Sequence, residues 1–215
     1  MIDDDLCSLG FMFDACHQRE TRAVSLKGDL VLQVRTIGDR PGHLQSGQYI
    51  WPASIAAANY LINRWDSLQC KAVLELGSGC GITGIALSKM AGVQSVIMTD
   101  YDLGSLQLIS ENIQLNGNND SSSSRAISSS HYLEWGAPIP LAIQQLPLFP
   151  PDGFRLVVGA DLVYSKDVIP ALLRTVHSLL HKSLGVFILV SSFRLSDVST
   201  IHCYCVLNRL IHGSY

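Results

Sequence analysis

The sequence predicts an α/β fold, a parallel β-sheet with helices on both faces. Three observations carry this. Short apolar runs rich in Val, Ile and Leu alternate along the chain with longer stretches whose apolar residues recur at helical spacing. A glycine cluster joins one such run directly to the helical stretch behind it. The 215 residues are 47% apolar and only 15% charged, which suits one domain with a large core, or a surface that a partner covers, and argues against disorder.

The elements follow in order. Residues 1–20 carry no firm pattern. Ala23-Val24-Ser25-Leu26 and residues 30–34 flank Lys27-Gly28-Asp29, two β-rich runs around a turn, and predict a hairpin. Arg40-Pro41-Gly42 then breaks the chain. This assigns residues 1–50 to an N-terminal extension and 51–215 to the core. Trp51-Pro52-Ala53-Ser54 opens the first helix, with Ser54 as its N-cap and helical spacing over residues 55–65. Residues 72–76 form a buried strand and 82–90 a helix that Gly92 ends. Residues 95–99 are the second strand, closed by Asp100. Helical periodicity covers 103–115, and Asn116-Gly117-Asn118-Asn119 stops it. The serine-rich stretch 121–130 reads as a loop running into a third strand over 126–133. Pro138, Pro140, Pro147, Pro150 and Pro151 mark irregular chain. A fourth strand covers 155–160, a helix 168–181 and a fifth strand 185–192. Ligands of such sheets sit at the carboxyl ends of the strands, where strand order reverses.

Charge and cysteine usage narrow the function classes. The net charge is −3 and no basic run exists, so bulk electrostatics give no pull toward nucleic acid and no nucleic-acid partner is expected. The first residues, Met1-Ile2-Asp3-Asp4-Asp5, are acidic where a leader would be basic. No apolar run is long enough to span a membrane. The six cysteines lack zinc-type pairing and read as free thiols of a reducing compartment, the cytoplasm or the nucleus. His177 and His181 stand four apart without the acid of a metalloprotease helix, and no metal is expected.

The segment Glu75-Leu76-Gly77-Ser78-Gly79-Cys80-Gly81 lies between a strand and a helix. Glycines there let the backbone turn sharply and approach a ligand, and the helix behind presents free N–H groups. Two ligand classes want this. Gly79, Gly81 and Gly84 satisfy the dinucleotide pattern GxGxxG, with Asp100 about 20 residues on. Glu75, Gly77, Gly79 and Gly81 satisfy ExGxGxG, the pattern of S-adenosylmethionine sites. The second is preferred, because Gly79 comes late after its strand for a dinucleotide and that reading leaves Glu75 and Gly77 unused. The loop, with Ser78, would hold the methionine part, and Asp100 would accept hydrogen bonds from both ribose hydroxyls. A plain tight turn does not need four glycines in eight residues and a strand-end acid.

Four segments, in this order, resemble methyltransferase family 16, the METTL21-like seven-strand protein lysine methyltransferases. They are Gly47-Gln48-Tyr49-Ile50-Trp51-Pro52-Ala53, residues 73–84, Leu133-Glu134-Trp135-Gly136, and Gly159-Ala160-Asp161-Leu162-Val163-Tyr164. The resemblance spans roughly residues 23–195. It implies a class I (Rossmann-like) methyltransferase fold, S-adenosylmethionine as cofactor and a protein lysine as substrate. It implies further that Asp161 binds and orients the amine, that Tyr164 walls the pocket and bonds the nitrogen, and that Trp51 and Trp135 flank the cofactor beside Ala160. An aromatic face favours a sulfonium cation. Each residue also has a purely structural reading. Trp51 would plug the core, Trp135 would seal a loop, and Asp161 would cap the turn after its strand.

The end of the chain departs from the family, whose members continue past the fifth strand with a helix and an antiparallel pair of strands. About twenty residues follow Ser192; residues 197–210 have room for one helix or one strand, and residues 201–207 look like a strand. The last strands are therefore expected to be missing, with the fifth strand near a sheet edge. Other readings stay open. One is a catalytically inactive, truncated binding module. Another is methyl transfer to another protein side chain or to a small molecule. A nicotinamide oxidoreductase would need a second half for which the chain lacks room. Base methylation would want an Asn-Pro-Pro-Tyr type motif where Ala-Asp-Leu-Val-Tyr stands. Oligomeric state is not indicated.

Overall fold

The computed structural model describes residues 19–38, 47–68, 70–117, 126–195 and 198–207. The Arg40-Pro41-Gly42 break, Asn118-Asn119 and the first part of the serine run lie outside them.

The chain orders its elements as β1 (Arg19–Ser25), β2 (Val31–Ile37), α1 (Pro52–Leu68), β3 (Ala72–Leu76), α2 (Ile82–Leu87), β4 (Ser95–Asp100), α3 (Leu103–Gly117), β5 (Ile127–Tyr132), α4 (Leu141–Gln144), β6 (Leu156–Ala160), α5 (Ile169–Leu179), β7 (Val186–Leu195) and β8 (Val198–Leu207). The alternation closes into a six-stranded sheet of order β5-β4-β3-β6-β7-β8. All neighbours are parallel except β7 and β8. Strand order runs one way from β3 to β5 and the other way from β6 on. The reversal therefore lies between β3 and β6, and it puts the carboxyl ends of these two strands side by side.

Both faces of the sheet are covered, which is why the central strands read as unbroken apolar runs. Val73, Val96, Val158 and Ile188 pack with Ala57, Leu61 and Trp65 of α1 and with Ile85 of α2. Leu74, Ile97, Val157 and Phe187 point the other way, onto Leu172, Val176 and Leu179 of α5. Among the described residues no helix is long and apolar enough to cross a membrane, and no group of three metal-type ligands exists.

Element boundaries differ from expectation where local bonding decides. Ser54 is not the N-cap of α1. The helix starts at Pro52, and both the N–H and the hydroxyl of Ser54 donate back to the carbonyl of Trp51 (3.0 and 2.7 Å). Proline is well placed there, since its missing N–H would have no partner in the first turn. Helix α2 ends at Leu87, and tighter turns carry the chain on toward Gly92. The proline-rich stretch holds the short α4. At the end of the chain β8 lies antiparallel along the whole of β7, from Val186 opposite Leu207 to Leu195 opposite Val198. One antiparallel strand is thus present, and β7 stands next to the edge with β8 against it.

The N-terminal hairpin is a separate two-stranded sheet with Val24 opposite Leu32. Val24, Leu32 and Val34 enter the core on the α1 side. Two asparagines fix the hairpin to α3. Asn112 accepts from the N–H of Arg35 (2.6 Å) and donates to its carbonyl (2.9 Å). Asn116 does the same for Gln33 (3.0 and 2.8 Å). Side chains four apart on a helix are about 6 Å apart along its axis, and residues two apart on a strand are nearly the same distance apart. Two successive turns of α3 thus stand in for a neighbouring strand. Asn112 also donates to the carbonyl of Cys80 (2.9 Å), which ties the hairpin to the glycine loop. The sequence reading gave these asparagines no role.

Asn112 is fully buried. Replacing it by Leu leaves the Arg35 N–H and carbonyl and the Cys80 carbonyl without it in a dry site. The expected loss is about 2–4 kcal/mol of folding free energy, measured by urea denaturation. A loss below about 0.5 kcal/mol would remove the hairpin clamp from the stability account.

Candidate functional site

A cavity of about 730 Å³ opens over the carboxyl ends of β3, β4 and β6. Its position is the one that the reversal of strand order dictates.

The glycine loop forms its floor. Gly77, Gly79 and Gly81 all have left-handed backbone (φ 55°, 56° and 78°), which non-glycine residues adopt only at a cost. At two of them space is also lacking. A Cβ on Gly77 would stand 2.7 Å from Leu162 Cδ2 and 3.2 Å from Trp135 Cζ2, and one on Gly79 would collide with the carbonyl of Gly47. Ser78 is stitched to β4, its N–H donating to Thr99 O (2.9 Å) and its Oγ accepting from Thr99 N (3.1 Å). Gly81 differs from the expectation. It is not among the residues lining the cavity, and a Cβ on it would press on Met98, Ile109 and Ile85. Its role is the turn into α2.

Glu75 and Asp100 are both buried at the cavity wall. Glu75 Oε2 accepts from the N–H of Gly84 in α2 (2.9 Å). Burial outweighs this bond and those of Thr83 and Ser78, and pushes the carboxyl up to about 7. Asp100 accepts from Gly79 N at Oδ2 and from Asp102 N at Oδ1 (3.0 Å each), and burial raises its pKa as well. A backbone bond from Tyr101 also reaches this carboxylate, which leaves about one of its four acceptor positions for a ligand. Cys80 next to Gly79 is an inert thiol, held up at about 12 by burial.

On the other side of the reversal, Ala160 and Asp161 follow β6. Asp161 has left-handed backbone at φ 54°. Both of its carboxylate oxygens accept from Ser192 on β7, one from the N–H (2.6 Å) and one from the hydroxyl (2.5 Å). Tyr164 is 59% exposed at the cavity rim. Burial, then Tyr101 and then Asp100 raise its pKa, so its hydroxyl stays protonated at neutral pH. Trp51 and Trp135 both line the cavity, as does Ala160.

The structure therefore brings together at one cavity every residue singled out in the sequence except Gly81. It adds Gln48, Tyr101, Asp102 and Ser192. Gln48 Nε2 donates to Asp102 Oδ2 (3.1 Å), and the hydroxyl and N–H of Ser105 donate to the same oxygen. These bonds hold Asp102 below the usual carboxylate range despite its partial desolvation. Adjacency to Asp100 was the only sequence signal for Tyr101 and Asp102. Ser192 had none beyond its place at the end of a strand.

Glu75, Asp100, Asp102 and Asp161 line this one cavity, and no Lys, Arg or His is among its described lining. The site attracts cations and repels polyanions.

The model of methyltransferase family 16, described as lysine methyltransferase, matches residues 34–200. The human electron transfer flavoprotein beta subunit lysine methyltransferase is 33% identical over 122 residues, which are 57% of this chain and 39% of that protein. The Aspergillus fumigatus protein N-terminal and lysine N-methyltransferase efm7 is 32% identical over 74% of this chain and 59% of its own length. The zebrafish (Danio rerio) protein N-lysine methyltransferase METTL21A is 30% identical over 68% of this chain and 60% of its own. The chain thus spans roughly two to three fifths of the curated relatives it matches. Among solved structures, a Thermus thermophilus 16S rRNA N2 G1207 methyltransferase in complex with AdoMet and guanosine superposes with a TM-score of 0.55 at 19% identity, covering 83% of this chain and 43% of that one. That likeness is one of fold.

Two outcomes test the geometry. Gly79→Ala combines a left-handed backbone with a backbone collision, and is expected to cost at least about 2 kcal/mol in denaturant melts. A melt unchanged within error would contradict the close approach of Gly47. Glu75 titrates near 7 in the fold against 4.5 in a free chain. A raised pKa gives stability that is fully present below 4.5 and lost as pH rises toward 7. The stability of the wild type relative to Glu75→Gln should therefore fall by a few kcal/mol across that window. A pH-independent difference would show that Glu75 is not held in a desolvated site.

Proposed function

Because the chain belongs to the lysine methyltransferases of methyltransferase family 16, we propose that it transfers a methyl group from S-adenosylmethionine to the side-chain amine of a lysine in a protein. The observation that carries this is the acidic lining of the cavity: Asp100, Asp102 and Asp161 stand beside Glu75, which burial holds partly neutral near pH 7, and no Lys, Arg or His is among the described lining. Both reactants are cations where they react. The cofactor carries a sulfonium, and lysine arrives as an ammonium. Phosphate-rich substrates meet repulsion instead.

The residues present fit the cofactor. The glycine loop leaves open backbone where a Cβ would intrude at Gly77 and Gly79. Asp100, at the cavity wall with three backbone N–H groups on its carboxylate, keeps acceptor capacity for a ribose hydroxyl. Trp51, Ser78, Glu75, Trp135 and Ala160 line the walls. Bound there, S-adenosylmethionine supplies an electrophilic methyl group for in-line displacement by a nitrogen lone pair. The protein's part is mostly placement. Asp161 holds the amine through a carboxylate that does not turn, and the protonated Tyr164 hydroxyl bonds the nitrogen and limits the space around it. The bonds of the Asp161 carboxylate among the described residues run to Ser192 of β7, where its structural reading expected the turn after its own strand.

Calorimetric titration with S-adenosylmethionine, S-adenosylhomocysteine and NAD, beside the variant Asp100→Asn, tests the site. The expected result is binding of both sulfur compounds, no binding of NAD, and at least tenfold weaker binding in the variant. Transfer of labelled methyl from S-adenosylmethionine into lysines of a protein extract tests the activity. Cofactor binding without any transfer would favour the binding-module reading, and label on arginine or histidine would move the substrate assignment.

A further inference from the structure

We propose that Ser192 is a positioning residue for methyl transfer, its hydroxyl and N–H locking the Asp161 carboxylate so that the remaining lone pairs of that carboxylate meet the substrate ammonium. This rests on the lysine reading above and extends it to a residue on a different strand.

The argument starts from the parallel ladder between β6 and β7. Its last bond runs from Asp161 N to Val190 O (2.8 Å). In a ladder that continued, the next donor would be the N–H of Ser192 and its acceptor the carbonyl of Asp161. The left-handed turn at Asp161 breaks that sequence. The carboxylate takes the place of the carbonyl and accepts the Ser192 N–H (2.6 Å). A second bond, from the Ser192 hydroxyl to the other oxygen (2.5 Å), then fixes the carboxylate against rotation. Of the two non-glycine residues with positive φ among the described residues, Asp29 sits in the hairpin turn and Asp161 sits at the cavity. Such strain persists only where surrounding bonds over-determine it, and it clusters at functional sites.

A carboxylate has about four acceptor positions. Ser192 occupies one on each oxygen and leaves one on each. Both residues line the cavity, so an ammonium entering it finds a carboxylate with one orientation and open acceptor capacity. Without the hydroxyl one oxygen loses its tether, the carboxylate gains rotational freedom, and the ammonium must fix it on binding. The effect belongs to the substrate side only. The bonds of Asp100 and of the glycine loop do not involve Ser192.

The test uses the full chain saturated with S-adenosylhomocysteine, with Nα-acetyl-lysine methylamide as probe and its uncharged analogue Nα-acetyl-norleucine methylamide as control, titrated by NMR. Ser192→Ala should weaken the lysine probe about five- to twentyfold. It should leave S-adenosylhomocysteine affinity and the norleucine control within twofold. Ser192→Thr, which keeps the hydroxyl, should restore lysine binding to within about threefold, and Asp161→Asn should lose more than Ser192→Ala. Unchanged lysine affinity in Ser192→Ala would overturn the inference while leaving the lysine reading intact. Parallel losses of lysine, norleucine and S-adenosylhomocysteine binding would also overturn it, since they would mark a merely structural role. A wild type that binds S-adenosylhomocysteine but not the lysine probe would overturn both.

Discussion

The site depends on one close approach between two backbones. The carbonyl of Gly47 lies against Gly79 with no room for a side chain on the latter. Gly47 is tight as well, though less so, since a Cβ on it would stand 2.8 Å from a side-chain atom, Ser105 Oγ. This contact brings the segment before α1 down onto the glycine loop. The N–H of Gly79 is then aimed at Asp100, and the carbonyl of Gln48 receives the N–H of Ile37 (3.1 Å) and the hydroxyl of Thr36 (2.9 Å). Asn112 reinforces the same junction from α3 by bonding both Arg35 and Cys80. The N-terminal hairpin is thus a buttress of the loop, which explains why a segment outside the main sheet carries part of the core.

Electrostatics follow from where the strands end. Parallel strands point their carboxyl ends at the reversal point, and residues placed there reach the cavity. Two of these positions, Asp100 and Asp161, are acids whose oxygens are held by N–H groups of the protein. Those bonds orient the carboxylates, and no fixed cation stands beside them in the described lining. A lysine or arginine at the same place would cancel the field that a cationic reactant needs. Burial works against ionisation at Glu75 and Asp100, so any negative charge there costs stability. Its retention makes sense at a ligand site and little sense in a packing role.

Much of this was legible in the residues because it depends on local pattern. Unbroken apolar strands between helical stretches gave the sheet, and strand-end acids and glycines gave the cavity. What stayed hidden depends on partners distant in sequence. Ser192 is one of many serines until β7 lies beside β6. Asn116 reads only as part of a helix stop, and Asn112 carries no signal, until α3 lies beside β2, where their spacing matches alternate strand residues. Gly81 matched the loop pattern as well as Gly79 did, yet it does not line the cavity, and a Cβ on it would meet Met98 and Ile109 of the core. Ser54 read as a cap because its type favours that place, but Pro52 started the helix earlier.

The sequence by itself determined the class of fold, the place of the glycine loop and the acids at the strand ends, since each follows from residue type and short spacing. Only the tertiary structure decided which oxygens remain for a ligand, because hydrogen bonds from remote strands and helices use up the others. It also decided that β7 has β8 against it and that the hairpin braces the loop. Both rest on pairing between segments that no local periodicity connects.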